Sequence, residues 1–469
     1  MKKILLINPP GKTRYLRDQY CSSSAKASYY WPAIDLLVLS GILGSSYEVE
    51  VLDCIAQKAS STESLAKITR NKYDAVVSLS STASKDEDFR FFEDVKKSMD
   101  CRLIVNAGFL RTEPANFLKE YHFLDAILLD YTASGVVEYL KSDLGLGQTF
   151  SGLSYRNALG QVIAESGSSG SEQYFSYNLP RHELFPLNKY RLPQARFTPF
   201  TCAIISRGCP FKCAFCASSS IPYRLRSRDN IYAEFSQISR LKIREIHFPD
   251  FTFTANREHA LKVCRMMKTE KLNFSWGCLT RPDCFDEELA KAMKDAGCHT
   301  IQFGVETKNE QILARLARPL SNASTRKAFE LCRSFGIDTI AFFIIGLPQD
   351  EEKSVRETMR FARELSPDYA AFSVFVPDYG SPHRRILEKE KPELVGRFNF
   401  DRTKFPVLEN GILSRKKIWQ LRNKAIADFY FRPEYMLKHI LKLNSLHRVK
   451  VAFRIFFSLF KGAINGARG

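Results

Sequence analysis

The stretch that decides the reading is Ala203-Ile204-Ile205, an apolar run, followed by Cys209-Pro-Phe-Lys-Cys213-Ala-Phe-Cys216. The run reads as a buried strand, and the loop after it carries three cysteines in the spacing C-x3-C-x2-C. Three thiolates on one short loop suit three irons of a cubane iron–sulfur cluster, leaving the fourth iron open to a substrate or cofactor. Structural zinc sites share C-x2-C, but they use four N/S ligands in two separated pairs, which this triplet fits poorly. A disulfide framework fits less well still. The other nine of the twelve cysteines are scattered through apolar or helical segments, where free Cys behaves as a small hydrophobe. None follows Cys332, which disfavours a second cluster further along.

Outward from the triplet, strand and helix signals alternate on both sides. Before it, strands are expected at 3–7, 48–52, 75–79, 103–105 and 126–129, with a helix at 32–43. Such alternation means a doubly wound parallel sheet, whose ligands sit beyond the carboxyl ends of its strands. The turns Asn8-Pro9-Pro10, Asp53-Cys54, Ser80-Ser81-Thr82 and Ala107-Gly108 fall at those ends. A hairpin at 152–162, a Ser/Gly stretch at 166–171 and a proline-punctuated arm at 180–193 follow. From about Phe200, six strands alternate with helices: 201–205, 243–248, 274–277, 300–304, 339–345 and 370–376. Six βα units suit a partial (βα)6 barrel of TIM type with its site on the carboxyl-end loops. The expected division is therefore 1–148, doubly wound; 149–199, hairpin and linker; 200–395, barrel; and 396–469, helical.

Composition sets the outer limits. A chain of 469 residues with 45% hydrophobic and 26% charged content is long enough for two or three globular domains. No apolar run reaches membrane-span length, and the start, Met1–Asn8, is too short in its apolar part for a signal peptide. A cytoplasmic, reducing compartment is expected. The net charge of +18 raises nucleic acid, an anionic membrane surface or an acidic substrate as partners. From Tyr430 onward eight Lys/Arg face the single acid Glu434, interleaved with Phe453, Phe456, Phe457 and Phe460. That tail reads equally as a basic amphipathic helix lying on a membrane surface and as a helix packed on the protein body.

The triplet, with aromatic Phe215 before its last cysteine, resembles the signature of the radical S-adenosylmethionine (SAM) superfamily. Over about 200–382 further steps resemble the same family in order: Arg226-Ser227-Arg228; Phe248-Pro-Asp250-Phe-Thr-Phe253-Thr254, with Phe251 where a second acid is usual; Trp276-Gly-Cys-Leu-Thr-Arg281-Pro-Asp283; Asp295-Ala-Gly297-Cys298; Phe303-Gly304-Val305-Glu306-Thr307; and Phe343-Ile-Ile345-Gly346-Leu-Pro348. The resemblance implies a 4Fe-4S cluster on Cys209, Cys213 and Cys216, which cleaves SAM to a 5′-deoxyadenosyl radical. It also implies SAM contacts from Asp250, Arg281, Gly304, Glu306, Ile345 and Gly346, and an external electron donor such as flavodoxin or ferredoxin.

The segment before the barrel is similar to the cobalamin-binding domain of one class of this superfamily, through Tyr73–Ser84, Trp31-Pro32 and Asp53. The resemblance implies cobalamin contacts from Ser81, Thr82, Gly108, Asp130 and Tyr131. Two steps depart from the class pattern: G-P-H-x-T reads Gly108-Phe109-Leu110-Arg111-Thr112, and G-E-Y reads Leu129-Asp130-Tyr131. The segment also lacks D-x-H-x-x-G, and its histidine is His122. Phe429-Tyr430-Phe431-Arg432-Pro433-Glu434-Tyr435 resembles a step seen after the barrel in hopanoid- and tetrapyrrole-modifying members. The reading is thus radical modification, methylation first, of an unactivated carbon in a small-molecule or lipid-like substrate. Three alternatives stand beside it: a member without cobalamin, an RNA-modifying member, and a silent cluster or cobalamin sensor. Nucleic acid is disfavoured because the region after the barrel reads as helical.

Overall fold

The computed structural model describes residues 2–18, 23–24, 29–142, 148–165, 173–394 and 401–441. The first sheet runs in the order Glu48–Asp53, Lys3–Asn8, Ala75–Leu79, Arg102–Asn106, Ala126–Leu128, all parallel. These strands form where apolar runs can be buried on both faces, as along Ala75–Leu79, where all five residues are buried. Their order is the flavodoxin-like one, with its switch point between Lys3–Asn8 and Ala75–Leu79. The expected hairpin is present as Leu153–Arg156 and Val162–Ile163, but it extends the first sheet antiparallel instead of belonging to a linker. Pairing explains the difference: Leu128 sits opposite Leu153, so the hairpin covers an otherwise open edge.

Helix Ile34–Gly44 is buried along nearly its whole length. It is covered on one side by the first sheet and on the other by the arm near residue 180. A Cβ on Gly41 would stand 2.3 Å from the carbonyl oxygens of Asn178 and Leu179, so this position admits glycine alone. Arg181 fastens the crossing, donating from its backbone to Ser40 Oγ at 2.9 Å and from Nη2 to Gly44 O at 2.6 Å.

The second sheet has six parallel strands in sequence order: Phe200–Cys202, Glu245–Phe248, Ser275–Thr280, Cys298–Glu306, Asp338–Ile345 and Tyr369–Val374. All six lie where the periodicity puts them. Helices Arg228–Arg240, Arg257–Thr269, Glu287–Asp295, Asn322–Ser334 and Glu352–Leu365 cover one face. Several begin at side-chain caps, as Asn256 accepts from His259 N at 2.9 Å and Asp286 from Leu289 N at 2.9 Å.

The region after the barrel is helical only in part. Residues 401–413 are irregular, and helices Arg415–Tyr430 and Pro433–Leu441 follow. The Phe-Tyr-x-Arg-Pro-x-Tyr step has a structural use here. Phe429 enters the barrel core, while Tyr430 OH donates to Ala370 O at 2.7 Å and Tyr435 OH to Asp368 O at 2.8 Å. These bonds tie the last helices to the last strand. The basic tail from His447 lies outside the described residues. Among the described residues, no helix is long and apolar enough to cross a membrane.

The arm joins the barrel through a fully buried charge group. Glu234 accepts from His182 Nε2 at 3.0 Å and pairs with Arg226, whose guanidinium lies 4.0 Å from the Tyr177 ring centroid. Burial alone would raise the Glu234 carboxyl, yet Arg226 and His182 hold it below its ordinary value. Glu234→Ala leaves the Arg226 charge buried and uncompensated, at an expected cost of about 3–5 kcal/mol. Chemical denaturation measures this as a lowered unfolding midpoint, and an unshifted midpoint would contradict it.

Candidate active site

The three cysteines sit on the loop between Ser206–Arg207 and the 3-10 turn Ala217–Ser220, beyond the carboxyl end of Phe200–Cys202. Gly208 precedes them at φ +75°, and a Cβ there would meet Pro222 O at 2.3 Å. Three chain segments then fix the loop backbone. Ala214 N donates to Leu316 O at 2.9 Å, Asp378 N to Phe215 O at 2.9 Å, and His383 N to Ala214 O at 2.8 Å. Ala217 N also donates to Asp378 Oδ2 at 3.1 Å, and Asp378 pairs with Arg402. Cys213 and Phe215 close the loop over an apolar group with Ile312, Leu347 and Phe375.

The sulfur environments suit thiolates held by metal. Arg281 Nη1 lies 3.8 Å and Arg318 Nη1 3.6 Å from Cys213 Sγ. Cys209 Sγ is 3.7 Å from Thr252 Oγ1, and Cys216 Sγ is 2.9 Å from Ser218 Oγ. Burial pushes the Cys216 thiol up to about 12, so its thiolate needs a metal ion or a cation to persist at neutral pH. Among the described residues no three His, Cys, Asp or Glu side chains converge as a single metal ion requires. A cubane takes each thiolate on a different iron, and the two guanidinium groups against the Cys213 sulfur suit the negative charge of such a cluster.

The polar residues expected around SAM fall on the carboxyl-end rim of the same sheet. Glu306 ends its strand at φ +65°, beyond a bulge between Gly304 and Glu306, and lies 3.5 Å from Arg318. Burial raises its carboxyl, with Arg318 opposing. A Cβ on Gly304 would stand 2.6 Å from Glu306 Oε1 and 2.7 Å from Arg318 Nη2, so the bare backbone is what lets this pair pass. Arg281 is aimed by a two-pronged bond to Asp283, at 2.9 and 2.6 Å, and stacks 3.9 Å from the Phe211 ring centroid. Gly346 adopts φ +82°, and Asp350 accepts from Gly346 N at 3.1 Å and Leu347 N at 3.0 Å. The Ile345 side chain is in the barrel core, and its carbonyl accepts from Phe375 N at 2.9 Å.

Asp250 is placed differently from the expectation of a SAM amino contact. Its buried carboxylate accepts from Ser206 N at 2.7 Å, Ser206 Oγ at 2.7 Å and Ile205 N at 3.2 Å, so it anchors the approach to the cysteine loop. Sequence reading also passed over Arg318, Thr252 and Asp378. Arg318 lies 105 positions from Cys213 in an unremarkable Ala-Arg-Pro context, and nothing local marks it.

At the first sheet, Asp130 ends the run of strands and is spoken for. Its carboxylate lies 3.1 Å from Arg207 Nε and 2.6 Å from Arg224 Nη2, and Thr132 donates to it from both N and Oγ1. Arg207 and Arg224 hold it below its ordinary value against burial, which would raise it. Arg207 also donates to Leu129 O at 3.2 Å and lies over the ring of Tyr131, which is buried. Asp130 and Tyr131 therefore clamp the first sheet to the strand feeding the cysteine loop.

Ser81 exchanges a 2.8 Å hydrogen bond with Ser84, and with Thr82 it forms the turn after Ala75–Leu79. A Cβ on Gly108 would meet nothing within 4 Å. Phe109 and Leu129 are buried in the first sheet's own core. His122 is exposed and precedes strand Ala126–Leu128, at the opposite end from these turns.

Residues 203–362 match the family described as the Radical SAM superfamily. The chain is 28% identical to an uncharacterized methyltransferase of Pyrococcus horikoshii, over 94% of this chain and 95% of that protein. It is 24% identical to the anaerobic magnesium-protoporphyrin IX monomethyl ester cyclase of Rubrivivax gelatinosus, over 90% of this chain and 78% of that one. Among solved structures, the cobalamin-dependent SAM radical enzyme OxsB, with aqua-cobalamin and SAM bound, superposes with a TM-score of 0.69 at 14% identity, covering 98% of this chain and 72% of that chain. The radical SAM methyltransferase TsrM of Kitasatospora setae, with cobalamin and a [4Fe-4S] cluster bound, gives 0.67 at 17%, covering 83% and 78%.

A pH test isolates the anchor. Burial raises the Asp250 carboxyl to about 7, so between about pH 4 and pH 7 the folded chain holds a proton that the unfolded chain releases. Stability then falls as pH rises through that window, and the cost is complete above it. Asp250→Asn removes this slope. Thermal melts of iron-free protein should show the wild type losing ground to the variant across the window, and parallel curves would refute the assignment. The loop geometry thus falls in the region that matches the radical SAM superfamily, residues 203–362, set behind a doubly wound sheet in the two-sheet fold shared with the superposed solved structures.

Proposed function

We propose that this enzyme uses cobalamin together with its cluster and SAM to methylate an unactivated carbon of a small organic molecule. The clamp at Asp130 carries the reading: it holds the carboxyl edge of the doubly wound sheet against the strand that leads into the three cysteines. When bound, the cluster and SAM supply a carbon-centred radical by reductive cleavage, and cobalamin supplies a transferable methyl group. The chain's own part is to hold and orient. Cys209, Cys213 and Cys216 are the cluster ligands, and Arg281 and Arg318 balance charge at Cys213. Glu306, Arg281 and the Gly304, Ile345 and Gly346 backbone are the SAM contacts. The turns at Ser81-Thr82 and Gly108 are where a corrin ring meets the first sheet, while Asp130 and Tyr131 set the distance between the sheets. Electrons come from a flavodoxin- or ferredoxin-like donor. The methyltransferase name of the Pyrococcus relative, which is similar along its whole length, supports methyl transfer as the outcome.

One observation favours a second reading, a radical SAM enzyme without cobalamin. The crevice at the switch point is filled by the chain itself. Arg17 pairs with Asp88 at 2.8 Å, both fully buried, and donates to Asn8 Oδ1 and Pro9 O at 3.0 and 2.8 Å. Ser80 donates to Asp88 at 2.8 Å.

Anaerobic reconstitution with iron, sulfide and hydroxocobalamin, followed by gel filtration and reduction in the presence of SAM, separates the two. Cobalamin absorbance comigrating with the protein and formation of 5′-deoxyadenosine are expected. Deoxyadenosine without retained cobalamin selects the second reading, and a loaded cluster that never cleaves SAM defeats both. Two variants refine this. Cys213→Ala should lose the cluster absorbance and deoxyadenosine formation with its circular dichroism intact. Gly304→Ala, by displacing Glu306 or Arg318, should weaken SAM binding roughly tenfold, about the worth of one charged hydrogen bond, at unchanged iron content.

A further inference from the structure

A pocket of about 380 Å³ opens where the amino-terminal ends of helices Arg228–Arg240 and Arg257–Thr269 come together, and its lining includes neither the three cysteines nor Glu306. That volume is within the range of small-molecule sites, about 300–1,000 Å³. Tyr174, Ser227, Arg228, Asn256, His259 and Lys262 line it. Arg228 and Lys262 are exposed, and neither forms a hydrogen bond or ion pair among the described residues. The one carboxylate in the lining, Glu258, lies 3.4 Å from Arg257. Arg228 and Lys262 thus outnumber the one carboxylate of the lining, beside the positive ends of two helix dipoles.

The helix ends and the histidine add directional groups. Ser227 precedes Arg228–Arg240 but does not cap it, because its hydroxyl bonds Ser176 Oγ at 2.6 Å. The first-turn amides of that helix therefore have no side-chain cap from Ser227. His259 is 5% exposed, and its Nε2 lies 3.1 Å from Ile205 O. With Nε2–H given to that carbonyl, Nδ1 of this lining residue is an acceptor with no hydrogen-bond partner among the described residues. Burial, then the charges of Arg228 and Lys262, hold the imidazole below its ordinary value. Cations and amide donors suit the anionic oxygens of a phosphate group, and the neutral Nδ1 suits its remaining P–OH. Tyr174, half exposed at the rim, offers a ring face to whatever the phosphate is attached to.

We propose that this pocket binds the phosphate of an organic phosphate monoester, at a site separate from the radical chemistry. The test uses the full-length reconstituted protein, with phenyl phosphate and inorganic phosphate as probes, in equilibrium dialysis at low and moderate salt. Saturable binding of phenyl phosphate is expected, weaker with added salt. Arg228→Gln and Lys262→Gln should each weaken it roughly tenfold, as loss of one charge-assisted contact does. Both side chains are exposed, so circular dichroism and iron content should be unchanged. Phenyl phosphate should bind more tightly than inorganic phosphate, and Tyr174→Ala should erase that difference. Inorganic phosphate binding equally well to the wild type would assign the site to the free anion and overturn the ester. Absence of saturable binding, or an affinity unchanged in the double variant, would overturn the site altogether.

Discussion

The cysteine loop is held against the doubly wound sheet at the carboxylate of Asp130. This carboxylate stands at the end of the doubly wound sheet and takes two guanidinium groups from the other side of the junction, Arg207 and Arg224. Those arginines flank the cysteine loop in sequence, one just before Cys209 and one just after the loop returns. A buried pair of this sort is poor evidence for net stability, because desolvation consumes most of the attraction, but it specifies position strongly. Any other relative placement of the sheets would leave two cations and a carboxylate buried without partners.

A second constraint acts within the barrel. A loop meant to hold metal cannot be rigid through its own secondary structure, since its backbone must turn around the ligand. Here rigidity is imported from Leu316, Asp378 and His383, which fix the loop from three remote segments, and from Asp250, which fixes its approach. The charge is imported in the same way. Arg281 arrives from the end of strand Ser275–Thr280 and Arg318 from the turn after helix Glu310–Arg315 to meet at one sulfur, and Glu306 offsets Arg318. The helices after the barrel add to this frame, since Ile418 packs where a side chain on Gly346 would have to go.

The sheets were legible in sequence because each strand is an apolar run ending in a polar turn, and local pattern suffices for that. Helix Arg257–Thr269 was readable to the residue, since Asn256 caps it and its apolar positions recur at helical spacing. Partnerships were not legible in this way. Asp250 and Asp130 stand at motif positions where a ligand contact is the natural expectation, yet the fold spends both on its own backbone and arginines. That choice depends on residues 44 and 77 or more positions away. Arg318 was invisible for the same reason. The hairpin at 153–163 was recognised as a hairpin but not as part of the first sheet, because edge pairing is decided by what the neighbouring strand leaves open.

That hairpin has a consequence for how the molecule survives at high concentration. Without it, strand Ala126–Leu128 would present a bare row of amide and carbonyl groups on an apolar strand, a template for another chain to add to. The hairpin covers that row and ends the sheet in Val162–Ile163, a strand two residues long. At the opposite edge, strand Glu48–Asp53 carries Glu48 and Glu50, whose charges meet Lys3 and repel an incoming apolar strand. The first sheet is thus guarded against fibrillar growth at both edges, by brevity on one side and by charge on the other.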